Sequence, residues 1–228
     1  MLSNGLNFSK SICKSCPNIC KYSFVTALKD VTADYIGRYG IEEGDESLAW
    51  EITISKGYKW QNGDLITASD FIYSMQEQLN PLFLNAGAER FVNGAFSIYG
   101  AHEYLYCAKD GKVKDSYLQD LWNNVGMWAE GDDKIIIVLS SPLELLDDNG
   151  SLTQLAFTAL NCLPLIHKDT YEACKIAPAI EGGLWGSSYK TSVETTISWG
   201  AYKLVDFKAG EFYLLEENEY YCGFDSGE

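Results

Sequence analysis

Apolar and polar positions alternate most cleanly in three stretches, and each predicts a strand with one buried face. Leu48 to Ser55 (LAWEITIS) is the first, rich in β-branched side chains. Ala201 to Phe207 and Phe212 to Glu217 flank Lys208-Ala209-Gly210-Glu211 and together predict a hairpin. Lys134 to Leu139 (KIIIVL) does not alternate. Its run is too short for most helices and heavily β-branched, so it predicts a buried strand ended by Ser141-Pro142. Helical spacing takes over elsewhere. After a turn at Asn62-Gly63, Thr67-Ala68-Ser69-Asp70 has the composition of a helix start. The Thr67 hydroxyl can accept from first-turn N–H groups, while Asp70 can reach back and suits the positive end of the helix dipole. Phe71, Ile72, Met75 and Leu79 then share one face, and Pro81 follows the end. Ser116 to Val125 predicts a second helix, with Tyr117, Leu118, Leu121 and Trp122 as its apolar side. Leu152 to Leu160 and Thr170 to Ala177 predict short helices bracketed by Pro164 and Pro178. The glycine-rich Glu181 to Ser188 is the best internal hinge or linker. Strands and helices are interspersed, with hairpin and crossover connections, and the predicted class is α/β in the mixed α+β sense.

Composition narrows the function. With 228 residues, 46% of them hydrophobic, the chain has ample material for a core, in one large domain or two small ones. Lys and Arg number 17 against 32 Asp and Glu, a net charge of −15 that repels phosphate backbones and anionic lipid. Nucleic acid is therefore not an expected partner. The longest clean apolar run, Ile135 to Leu139, is far short of the roughly 20 residues of a membrane helix. The charge is uneven: Met1 to Lys29 carries four lysines and no acid, and holds Cys13, Cys16 and Cys20. That leader has neither the apolar block of a secretory signal nor a lipid-attachment pattern around its cysteines, and it predicts a poorly ordered segment.

Candidate chemistry is sparse. Cys13-x2-Cys16-x3-Cys20 could bind zinc if a fourth ligand arrived from elsewhere, which leaves a zinc-stabilised interaction module as one reading. The odd total of seven cysteines argues against a fully paired disulfide framework. A nucleophilic triad would need His102 or His167 as base, and neither has an elbow motif nearby, so structural or surface roles are expected for both. Most of the adjacent acid pairs Glu42-Glu43, Asp132-Asp133, Asp147-Asp148 and Glu216-Glu217 sit beside turns, where charge is usually solvated. A hydrolase or other enzyme on a mixed α/β scaffold stays open as an alternative, with no specific motif behind it. No cofactor motif and no calcium loop is present. What stands out is 15 Tyr, 6 Trp and 10 Phe, flat apolar faces that suit core packing and organic ligands alike.

Two stretches carry a resemblance. Glu51 to Phe71 runs as a strand, a Lys59-Trp60-Gln61-Asn62-Gly63 turn, then Thr67-Ala68-Ser69-Asp70-Phe71 opening a helix. Trp199-Gly200-Ala201-Tyr202-Lys203-Leu204 leads through Gly210-Glu211 to Leu214-Leu215-Glu216-Glu217-Asn218 and Tyr220-Tyr221, with Glu219 where a proline is usual. Both resemble segments of bacterial extracellular solute-binding proteins of family five, the peptide- and nickel-binding receptors of ABC importers. Weaker similarity lies at Val125-Gly126 through Leu139 to Pro142, and at Leu163 to Lys168. The resemblance covers about Asp30 to Glu228. It implies a class II periplasmic-binding-protein-like fold, first lobe only: a mixed sheet with flanking helices and a C-terminal β-hairpin. Residues 45–167 would form a helix-rich subdomain and 168–228 part of the main sheet, with the second lobe absent and the chain an amino-terminal portion. It further implies a peptide ligand, membrane permease subunits as partners, a monomer, an extracytoplasmic location, and no metal or catalytic residue. Trp199, Gly200 and Tyr202 are the ligand-binding candidates: Tyr202 for its ring or hydroxyl, Gly200 for close backbone approach. Packing of Trp199 and Tyr202 within the sheet is the competing role, while Lys59, Trp60 and Gly63 are assigned to the fold.

Overall fold

The computed structural model describes residues 12–13, 16–20, 24–108, 113 and 115–221, with the backbone alone at 12–13, 16–20 and 115. In chain order the strands are β1 (Ile12–Cys13), β2 (Cys16–Cys20), β3 (Val25–Asp30), β4 (Ala49–Ile54), β5 (Met127–Glu130), β6 (Lys134–Val138), β7 (Lys175–Ile176), β8 (Gly186–Ser187), β9 (Tyr202–Lys208) and β10 (Phe212–Glu217). The helices are α1 (Ala68–Gln78), α2 (Ala101–Leu105), α3 (Asp115–Trp122), α4 (Gln154–Asn161) and α5 (Lys168–Ala173). A four-stranded sheet in the order β3-β4-β6-β5 is the centre, and β1-β2, β7-β8 and β9-β10 are separate two-stranded ribbons. Every pairing among the described residues is antiparallel, so the mixture is of helices with sheets rather than of strand directions.

The continuous apolar run of β6 has a direct cause, because both of its faces are covered. Ile135, Ile137 and Leu139 join the main core with Trp50, Ile52, Phe71, Met75 and Leu79. Ile136 and Val138 turn the other way into a smaller core with Val31, Tyr35, Ile41 and Ala49. A strand buried on two sides needs no alternation. α1 lies on the main-core side and buries Phe71 and Met75, with Leu79 just past its end, whereas Ile72 is half-buried. In α3, Leu118 and Trp122 are buried and Leu121 half-buried, but Tyr117 is exposed and leaves the apolar side expected for it.

The boundary expected at residue 29 falls inside β3. Val25 is buried, Lys29 pairs with Glu51 across the β3–β4 ladder, and Phe24 packs on Tyr58, Phe71 and Trp199. The last six residues of the leader are thus part of the central sheet and core. The side chains of Cys13, Cys16 and Cys20 lie outside the described residues, as does Cys222. The four-stranded sheet is built from residues 25–138, and the described part of residues 168–228 contributes α5 and two-stranded ribbons but no strand of that sheet. The glycine-rich stretch after Pro178 returns as β8 to pair with β7.

Candidate functional site

The two motif segments, more than a hundred residues apart in sequence, meet in space. Gly57 and Gly63, at φ +94° and +92°, let the chain after β4 double back so that Trp60 N–H donates to Asp64 O and Ile66 N–H to Tyr58 O. The returning chain then starts α1. Asp70 Oδ2 accepts from Thr67 N–H at 2.7 Å and from the Thr67 hydroxyl at 3.0 Å, so the carboxylate closes the first turn. Gln61 bonds to the segment leading into β9 twice: its N–H donates to Ser198 O at 2.7 Å, and its Oε1 accepts from Ser198 N–H at 2.8 Å. Just past β10, at the base of the hairpin, the Tyr220 ring lies over Gly63, where a Cβ would stand 3.3 Å from it, and Lys59 Nζ sits 5.4 Å from the same ring's centre. Trp60 is 1% exposed in the main core.

Trp199, Gly200 and Tyr202 lie at this junction but face different surroundings. Trp199 is half-buried, with its ring 4.6 Å from that of Phe24 and against the main core. Gly200 accepts a hydrogen bond from Asn218 Nδ2 at 2.9 Å and donates its N–H to Ser198 Oγ at 3.1 Å. An added Cβ there would meet only Ser198 Oγ, at 3.7 Å, so protein packing does not demand glycine. Tyr202 is 54% exposed at the start of β9. The pairing of Tyr213 with Phe207, Leu215 with Leu204 and Glu217 with Tyr202 places Tyr202 on one hairpin face with four apolar side chains, and Phe207 stacks on Tyr213. Asn218, fully buried, joins the two strand ends: its N–H donates to Ala201 O, and its Oδ1 accepts from Tyr220 N–H.

His167 is buried, and its ring bridges two elements. Nε2 lies 3.0 Å from Asp64 Oδ2, and Nδ1 lies 2.9 Å from Thr170 Oγ1 and accepts from Thr170 N–H at 3.3 Å. An acid–histidine–hydroxyl row has the outline of a nucleophilic triad, and Nδ1, the ring nitrogen facing Thr170, also accepts the N–H that caps α5. The same contact orients the start of α5. The His167 hydrogen bond, with a second from Asn62, holds the Asp64 carboxyl below its usual range. Among the described residues, no group of three His, Cys, Asp or Glu side chains is arranged to hold a metal. No helix of the described residues is long and apolar enough to cross a membrane.

The class of molecule is a mixed α/β scaffold whose signature turn, helix cap and closing hairpin form one unit. The family model for bacterial extracellular solute-binding proteins, family 5 Middle, matches residues 38–227, and the chain belongs to that family. The dipeptide-binding protein of Lactococcus lactis is 32% identical over 103 residues, 45% of this chain and 16% of that one. The fold matches the periplasmic murein tripeptide-binding protein MppA in its unliganded open form, with a TM-score of 0.58 at 21% identity over 87% of this chain and 29% of that one. It also matches Listeria monocytogenes OppA bound to peptide, with a TM-score of 0.58 at 18% identity over 91% and 32%. The chain therefore spans about a third or less of the length of these relatives. They are binding proteins.

Proposed function

We propose that this chain is the amino-terminal portion of an extracytoplasmic peptide receptor that serves an ABC importer. Its ligands are peptides, its partners are membrane permease subunits, and it works as a monomer with no chemistry of its own. The ligand-facing candidates remain Trp199, Gly200 and Tyr202, beside the turn at Gln61 to Asp64, and the subdomain division at residue 167 goes with the same reading. The observation that carries it is the union of the signature turn with the hairpin through Gln61, Ser198 and Tyr220, in a chain that belongs to this family. The open space at Gly200 and the exposure of Tyr202 leave both accessible to an extended backbone.

A receptor of the clamshell kind gains affinity by enclosing its ligand between lobes, and one lobe alone supplies only part of the contacts. Titration calorimetry of the 228-residue chain with a mixed library of short peptides is expected to give weak binding, with Kd above about 100 µM. Tyr202→Ala should weaken it further without lowering the melting midpoint. Sub-micromolar binding by the chain alone, or binding indifferent to Tyr202, would contradict this assignment.

A further inference from the structure

The Lys175 ammonium is enclosed more completely than any cation the junction site holds. Nζ lies 2.9 Å from Glu77 Oε1 and 2.8 Å from Glu172 Oε1. The rings of Tyr171, Tyr73 and Phe83 stand 5.6, 6.0 and 6.0 Å away, measured to their centres. Tyr73 donates its hydroxyl to Glu172 Oε1 at 2.6 Å, which fixes the second carboxylate in place. Two carboxylates accept N–H bonds while three aromatic faces surround the charge, the combination that recognises an ammonium stripped of most of its water. The walls come from α1, the loop after it and the end of α5, whereas the occupant is carried by the two-residue strand β7.

Among the described residues that strand belongs to a small separate ribbon, extended by the Ser188 N–H donating to Cys174 O. Among the described residues β7 pairs only with Gly186–Ser187, and Ile176, Ile180 and Leu184 around it are 54%, 73% and 52% exposed. The ribbon is pinned again where Trp185 N–H donates to Leu82 O and its ring lies 6.2 Å from that of Phe83. Burial works to lower the Lys175 pKa, but the bonds to Glu172 and Glu77 outweigh it and hold it above the usual lysine value. The occupant stays charged.

We propose that the Glu77–Glu172–Tyr73–Tyr171–Phe83 box is a primary-ammonium site, filled in the resting structure by Lys175 of the β7–β8 ribbon. Its ligand class is the unbranched alkylammonium, the chemistry shared by a lysine side chain and simple amines. A tethered occupant competes at high effective concentration, so an external amine enters only where Lys175 is absent or displaced. The inference rests on the box alone and does not depend on what the junction around Tyr202 binds.

The test is chemical rescue of Lys175→Ala in the full chain, read as the thermal midpoint with and without n-butylammonium. Tetramethylammonium at equal ionic strength is the control, because it offers no N–H to the carboxylates. Saturating butylammonium should raise the variant's midpoint by about 3 °C or more over that control, and the wild type's by less than about 1 °C. Adding Glu77→Gln to the variant should abolish the difference. If Lys175→Ala does not fold alone, butylammonium but not tetramethylammonium should restore its circular dichroism. Equal effects of the two cations, or no effect of either on stability or folding, would overturn the assignment.

Discussion

Asp64 ties the signature turn to the N-cap of α5, His167, 103 positions later, through a hydrogen bond to its ring. Its neighbours hold the carboxyl below the ordinary value, with the His167 bond first and the Asn62 bond second. The sign of the pH effect follows. A carboxyl that releases its proton more readily when folded adds stability that is complete above its unfolded pKa, about 4, and is lost as pH falls through the folded value. The Asp64 side chain is 58% exposed, so screening limits the effect to about 0.5 kcal/mol. In urea unfolding between pH 5 and pH 2.5, wild type should exceed Asp64→Asn by a constant margin near pH 5 that shrinks below about pH 4. Parallel curves would show that the bond contributes nothing specific to the charged form. Little of this is legible in the sequence: a lone histidine and a turn aspartate carry no periodicity that pairs them. Glu77 and Lys175 were equally hidden. Gly63 was readable because a turn glycine needs positive φ, although the Tyr220 ring above it adds a second constraint.

Elements with a local cause were the ones the sequence disclosed. The α1 start, the Asn62-Gly63 turn, the Gly210 hairpin and β6 each depend on neighbours within a few residues, and each lies where the pattern put it. Tyr117 failed because helical spacing cannot tell which of four apolar side chains a partner will cover. β3 went unread because its six residues reveal themselves only through pairing with β4, a non-local event. At α1 the detail differs from expectation: the Thr67 hydroxyl donates to Asp70 rather than serving only as acceptor. Asp70 then matters more than its place as the fourth residue of the motif suggests, since it satisfies the Thr67 N–H and faces the helix dipole. Asp70→Ala should cost about 1–2 kcal/mol in chemical denaturation. Asp120→Ala, toward the opposite dipole end of α3, should cost roughly nothing. Equal losses at both positions would mean that the cap is not what stabilises α1.

At the scale of the whole molecule, stability is unevenly distributed. β4 and β6 sit inside the four-stranded sheet, with neighbours on both edges and buried side chains such as Ile52, Ile135 and Ile137. The β9–β10 ribbon has two strands only, and every residue of β10 is exposed, including Tyr213 at 60% and Leu215 at 54%. A two-stranded ribbon without a covered face is marginal in water, so β9 and β10 should open without the rest. Its base is held by buried Asn218 and the Gln61–Ser198 bonds, which places the loosest part at the Lys208–Glu211 turn. Amide hydrogen exchange should show Ile135 and Ile137 near the global limit and the β10 amides at least roughly a hundredfold faster, with protection rising toward Glu217. Tyr202, paired with Glu217 at the anchored end, sits on the part of the ribbon that opens least. If β10 exchanged as slowly as β6 in the isolated chain, its apolar face would have to be covered in solution, and the proposed monomer would give way to a self-associated form.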